Sequence, residues 1–260
     1  MKSTFHAQAI ATNTLHEQLL TTLACALGWG AVYAICVRLL TPRWLNSAHK
    51  VDWASRVVST AHALILCLAS GWHVSSNEWF SGFGTADRSW ELWIQFSCGY
   101  FVYDALLVLL VCPGHTDKWQ TLLHHCLALL LHFVPVCVYH VFHAISAVGY
   151  LSEASTPFLN ARWHMIKAGR GSSPVFALNG VCLVGTFFVF RVLCGVVNVY
   201  QVFVAVPRHA PPSFEGVMGP VLGRVVEAGV LCYYCLNLYW FALIVHGVLM
   251  LFKGKPRARD

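Results

Sequence analysis

Six ionisable or amide side chains stand inside otherwise apolar runs. They are Asp104 in "CGYFVYDALLVLL", His124 and His125 in "LLHHCLALLLHF", Glu153 and Asn160 in "YLSEASTPFLNARW", and Arg191 in "FFVFRVLCG". Such groups are costly in hydrocarbon unless partnered, which makes each a functional candidate. Together they have the makings of proton and group transfer. An imidazole can take a proton near neutral pH or accept a transferred group. A carboxylate beside it, Asp104 or Glu153, would fix the ring tautomer and stabilise the imidazolium. Asn160, Tyr100 and Arg191 are the expected contacts to a polar substrate group.

Spacing refines these roles. His124 and His125 are adjacent, so on a helix they point ~100° apart and cannot share one narrow site equally. One is expected to enter a cavity while the other bonds a neighbouring helix. His125 and His132, seven apart, share a face, as do Glu153 and Asn160 with Thr156 between them. Tyr100 lies one turn from Asp104 and within hydrogen-bonding reach of it. Pro157 cannot donate to the Glu153 carbonyl, so a kink is expected there. Each site also has a structural reading: Asp104 as a link between helices, the histidines as satisfied core groups, and the Pro157 region as a plain kink.

Other chemistries fit less well. Histidines recur at 115, 124, 125, 132, 140 and 143. A di-iron lipid desaturase would need clustered HxxxH and HxxHH boxes, whereas here only the adjacent pair and a lone HxxH, His140 to His143, occur. No metal site is expected. The eleven cysteines lie in apolar runs or at their edges and read as small hydrophobes. Cys232 and Cys235 form a CxxC without a second pair. No inverted repeat suggests a transporter.

The elements that must position these residues are membrane helices. The chain is 57% hydrophobic and 11% charged, with a mean hydropathy of +0.61; soluble domains carry roughly 25% charged residues. Seven apolar segments are read at 19–40, 56–72, 91–112, 120–139, 140–162, 174–206 and 226–252, which predicts an all-α, multi-pass protein with about seven transmembrane helices. The segment 56–72 is short. The segment 174–206 is long enough that it must tilt or kink. The pair 120–139 and 140–162 meets at a tight turn near Pro135. Twelve Lys and Arg residues fall in one set of loops and four in the other. This bias places the C-terminus in the cytosol and the N-terminus in the lumen. It also accounts for the formal charge of +6 without nucleic acid. No cleavable signal peptide and no N-x-Ser/Thr site are read. The expected organisation is a lumenal N-terminus with the first helix over 1–49, a membrane domain over 50–252, and a basic cytosolic tail over 253–260.

Four stretches, "WASRVVSTAHAL" (53–64), "GYFVYDALL" (99–107), "LLHHCLAL" (122–129) and "LSEASTPFLNARW" (151–163), resemble in order and spacing the TLC domain of ceramide synthases, TRAM translocon proteins and ceroid lipofuscinosis proteins. The form "SEASTPFLN" is most similar to the small TLC-domain-containing proteins. The resemblance runs from about Lys50 to Phe252. It implies six helices around a lipid tunnel, with one helix preceding them. It also implies that His124 and His125 match the histidine pair at which ceramide synthases transfer an acyl group from acyl-CoA to a sphingoid amine. Glu153 stands at the place of one motif aspartate. The other motif aspartate has no counterpart, with Tyr150 falling near it, which speaks against sphingoid N-acylation specifically.

The expected function is therefore in membrane lipid metabolism or homeostasis, as a histidine-dependent acyltransferase using acyl-CoA as co-substrate and no bound cofactor. Basic loops around Lys118, Arg162 and Lys167 would hold the phosphates of the donor. The alternative is a non-catalytic lipid-binding or membrane-composition regulator, and a third reading is a translocation or trafficking accessory. Membrane lipids are the expected partners, with a homo-oligomer left open. The family resemblance implies the endoplasmic reticulum.

Overall fold

The computed structural model describes residues 2–77, 87–111, 118–209 and 213–252. Cys112, His115 and the basic tail 253–260 lie outside them. The described residues form helices and no strand. Helix α1 spans Lys2–Leu39, α2 Ser47–Ser76 and α3 Arg88–Leu110. Helix α4, Lys118–Ala128, runs on as a π-helical stretch, Leu129–Val138. Helix α5, His143–Tyr150, passes through a 3₁₀ stretch, Leu151–Ser155, into α6, Thr156–Lys167. Helix α7, Pro174–Phe187, continues through π-helical turns at Phe188–Leu193 and Gln201–Ala205, which flank α8 (Cys194–Tyr200) and precede α9 (Val206–His209). Helix α10 spans Ser213–Phe252.

Local chemistry sets these boundaries. Asn46 caps α2, its side chain accepting from the His49 N–H at 2.8 Å. The apolar segment that reads as short, 56–72, thus belongs to a full-length helix whose polar first turns mask its start. Ser173 caps α7 and Pro174 occupies its first turn. Asp87 caps α3, accepting from the Ser89 N–H at 2.9 Å and its hydroxyl at 2.7 Å. Burial pushes the Asp87 carboxyl up, but these hydrogen bonds and nearby His73 outweigh it and hold the group below its ordinary value.

Six helices among the described residues are long and apolar enough to cross a membrane. The expected seventh, over 140–162, is an interrupted segment. Pro157 sits in the first turn of α6 and has no N–H for the Glu153 carbonyl. The backbone tightens to 3₁₀, and the Thr156 N–H takes that carbonyl instead. The long segment from Pro174 carries two π-helical insertions, the kind of irregularity at which long helices kink. Pro135 lies within the π-helical stretch, and its carbonyl accepts from the Val141 N–H at 2.9 Å, closing the tight turn.

Helices α2, α3, α4, α10, α7 and α6 follow one another around a ring, each packed on the next, and α1 lies outside against α3 and α2. The α1–α3 crossing is close because Gly99 has no side chain: a Cβ there would stand 2.5 Å from the Cys25 Cβ. The main core joins Trp29, Leu66, Trp90, Ile94, Phe101 and Tyr150. A smaller one gathers Phe142, Ile145, Val202, Val206, Val226 and Val230.

Candidate functional site

The ring encloses a cavity of about 360 Å³, and all seven residues singled out from the sequence line it: Tyr100, Asp104, His124, His125, Glu153, Asn160 and Arg191. Four different elements bring them there: α3, α4, the 3₁₀–α6 segment, and the π-helical turn after α7. The remaining wall is divided. Asp52, Ser55, Arg56 and Ser59 present polar groups from α2, while Leu159, Phe187, Leu243 and Ile244 form an apolar side.

Both histidines face this one cavity, which corrects the expectation that only one would. The angle between adjacent positions aims them at different carboxylates. His124 Nε2 lies 3.8 Å from Glu153 Oε1, and His125 Nε2 lies 3.6 Å from Asp104 Oδ2. The ring centroids are 5.7 Å apart. His124 also stacks on Tyr233, with Trp240 beside it. Both separations exceed hydrogen-bond length yet lie within charge-pair range, with both members of each pair buried.

The carboxylates are held by neighbouring side chains of the cavity wall. Ser55 donates to Asp104 at 3.2 Å. The expected Tyr100–Asp104 bond is replaced by this contact between helices, and the Tyr100 ring stacks on His62 at 3.9 Å. Glu153 accepts from Thr156 at 2.8 Å and pairs with Arg191 at 3.6 Å. Arg191 donates further to Ser155, Thr156 and Asn237 at 2.8, 3.1 and 3.2 Å. A buried guanidinium satisfied this fully is a positioning group for Glu153. Asn160 is likewise committed to the protein, donating to the Arg56 carbonyl and to Thr60, both at 3.1 Å, while accepting from the Arg56 side chain at 3.2 Å. Of the three expected substrate contacts, Arg191 and Asn160 thus hold the frame of the site.

His132 does not join His125. The π-helical winding that begins at Leu129 breaks the 3.6-residue period, and His132 turns instead to a small separate pocket, stacked on Tyr150 at 4.1 Å. Sequence reasoning also missed Tyr233, Asn237 and Trp240 on α10. Asn237 in "CYYCLNLYWF" was findable by the rule that flagged Asn160, a lone amide at membrane depth, and Tyr233 and Trp240 stand seven apart on one face. His62, fully buried and bonded to Ser97 at 3.0 Å, was findable in the same way.

Among the described residues no three His, Cys, Asp or Glu side chains are arranged to hold a metal ion. The described cysteines are free, and Cys232 and Cys235 are exposed on α10. The site's resources are therefore two imidazoles, two carboxylates and an amphipathic wall, which suit proton transfer to or from an amphipathic ligand.

Comparison with known proteins agrees with this architecture. The TLC domain family matches residues 52–246. TLC domain-containing protein 4 of Xenopus tropicalis is 31% identical over 228 residues, covering 83% of this chain and 82% of that protein. TLC domain-containing protein 4-A of Xenopus laevis is 31% identical over 240 residues, covering 86% and 87%. TLC domain-containing protein 4-B of Danio rerio is 29% identical over 227 residues, covering 85% and 80%. With three-quarters of its length inside the matched region and its polar residues gathered at the centre of the ring, the chain belongs to the TLC domain family.

Proposed function

We propose that this membrane protein acts on lipids, transferring an acyl group from acyl-CoA to a lipid acceptor held in the cavity. The observation that carries the reading is the placement of two histidine–carboxylate pairs on one cavity that is polar on one side and apolar on the other. In this reading the apolar side takes acyl chain, and one imidazole removes the proton from the attacking hydroxyl or amine as that atom bonds to the acyl carbon; the thioester C–S bond then breaks, and the imidazolium returns the proton to the departing CoA thiolate. Asp104 and Glu153 stabilise the resulting imidazolium. Asp52 and Thr121 line the cavity near the starts of α2 and α4, whose first turns carry Lys50 and Lys118, where the phosphates of the donor would bind. In this reading the protein resides in the endoplasmic reticulum, as its family resemblance implies, with its C-terminus in the cytosol, as the distribution of Lys and Arg supports.

A second reading, a non-catalytic lipid-binding regulator of membrane composition, draws on a specific observation. Neither histidine is within hydrogen-bond length of its carboxylate, and Glu153 is already neutralised by Arg191. Catalytic contacts often tighten only with substrate bound, so lipid turnover separates the two. Lipid profiles of cells expressing the chain are compared with matched His124→Ala and His125→Ala variants, with expression and folding checked. Acyl transfer predicts one lipid class raised by the wild type and by neither variant. Equal effects from all three sink the enzyme and leave the regulator.

A further inference from the structure

A second histidine–carboxylate assembly stands at the end of the bundle opposite the basic loops, around the turn that joins the π-helical stretch to α5. Glu91, in the first turn of α3, is buried. Its Oε1 takes His140 Nδ1 at 2.6 Å and faces His143 Nε2 at 3.6 Å, while its Oε2 accepts from Arg88 at 3.0 Å. Among the described residues, the other titratable groups here are His73 of α2, paired with Asp87 at 3.5 Å, and Cys137, whose thiol points to the Glu91 carbonyl at 3.9 Å.

The turn itself is under backbone strain. His140 and Phe142 have φ of 54° and 64°, the left-handed region that non-glycine residues rarely adopt. Such residues persist where surrounding contacts hold them. The Phe142 ring is held in the smaller core. His140, with its side chain 45% exposed, is held by Glu91. His143 Nε2 is buried and has no hydrogen-bond partner, although a carboxylate oxygen lies directly before it. The two atoms thus stand just beyond hydrogen-bond length, with nothing else satisfying the nitrogen.

The geometry points to a proton-operated clasp in which Glu91, His140 and His143 lock the 139–142 turn when the imidazoles gain a proton. A proton gained at His143 Nε2 makes that nitrogen a donor. It then closes on Glu91 Oε1, so that one carboxylate secures both ends of the turn. On loss of the proton, His143 Nε2 again faces the oxygen with a lone pair, and only His140 remains bonded. The turn connects the segment bearing His124 and His125 to the segment bearing Glu153, so the clasp sets how firmly those two walls of the cavity are tied. The inference is independent of whether the cavity is catalytic.

The test is hydrogen–deuterium exchange of the full chain in lipid nanodiscs, following peptides that cover 139–146, with rates corrected for intrinsic chemical exchange. Wild type is expected to exchange about tenfold more slowly at pH ~5.5 than at pH ~7.5, across the ordinary histidine range. His143→Gln abolishes this difference, and Glu91→Gln gives fast exchange at both values. His73→Gln and His124→Ala retain the full response. Equal corrected rates in the wild type overturn the clasp, as does a response that survives either His143→Gln or Glu91→Gln. If both variants fail to fold, the wild-type comparison alone still decides.

Discussion

The two ends of this bundle use the same residue types and arrive at opposite solutions. At one end, His124 and His125 stand 3.8 and 3.6 Å from their carboxylates around a cavity of about 360 Å³. At the other, Glu91 meets His140 at 2.6 Å and Arg88 at 3.0 Å. The first assembly stays open, its members standing off from one another around the cavity. The second bonds two of its members directly to the carboxylate, with only His143 standing off at 3.6 Å. A buried acid beside a histidine therefore says little about function; what separates the two is whether the surrounding helices leave volume between the partners.

The comparison has measurable consequences. The largest concerns Arg191, which supports the open site. Arg191→Leu leaves the Glu153 carboxylate buried without its cation, and unfolding in detergent is expected to lose about 3–5 kcal/mol or folding to fail outright. Next come the acids themselves. Glu91→Gln removes charge-assisted bonds that are made and is expected to cost about 1.5–3 kcal/mol, whereas Asp104→Asn, whose histidine stands off, is expected to cost less than about 1 kcal/mol. Equal losses in chemical denaturation would erase the distinction. A third test adds volume. Val136→Phe, fully buried beside Cys137, is expected to destabilise by about 1–3 kcal/mol through overpacking. Val108→Phe, which points at the cavity, has room, so stability is expected to hold while lipid binding falls. The smallest effect is Arg88→Leu. Its side chain is 59% exposed, so melting is expected to shift by no more than ~1 kcal/mol equivalent.

Much of the open site was legible in the sequence because hydrocarbon makes polar residues conspicuous. Asp104, Glu153 and Arg191 stood out against apolar neighbours, and all of them reach the cavity. The closed site was legible only as a lone HxxH, His140 to His143. Glu91, His140 and His143 lie at segment ends, where polar residues are ordinary, and their meeting depends on a turn with two left-handed residues that no local pattern announces. Helix count was read well, apart from the interrupted segment around Pro157. What period-based reasoning could not anticipate was π-helical winding. It sends His132 away from His125 and places Arg191 in a bulge, and a regular 3.6-residue period carries no sign of it.

The bare backbone at Gly99 ties the first helix to the history of the rest. A Cβ there would meet both the Cys25 side chain and the backbone of α1, at 2.5 and 2.8 Å, so the position answers first to a helix outside the ring. A relative that dispenses with the leading helix is released from that demand. Across such chains, the residue at this position should vary with the presence of the first helix, independently of anything that happens in the cavity.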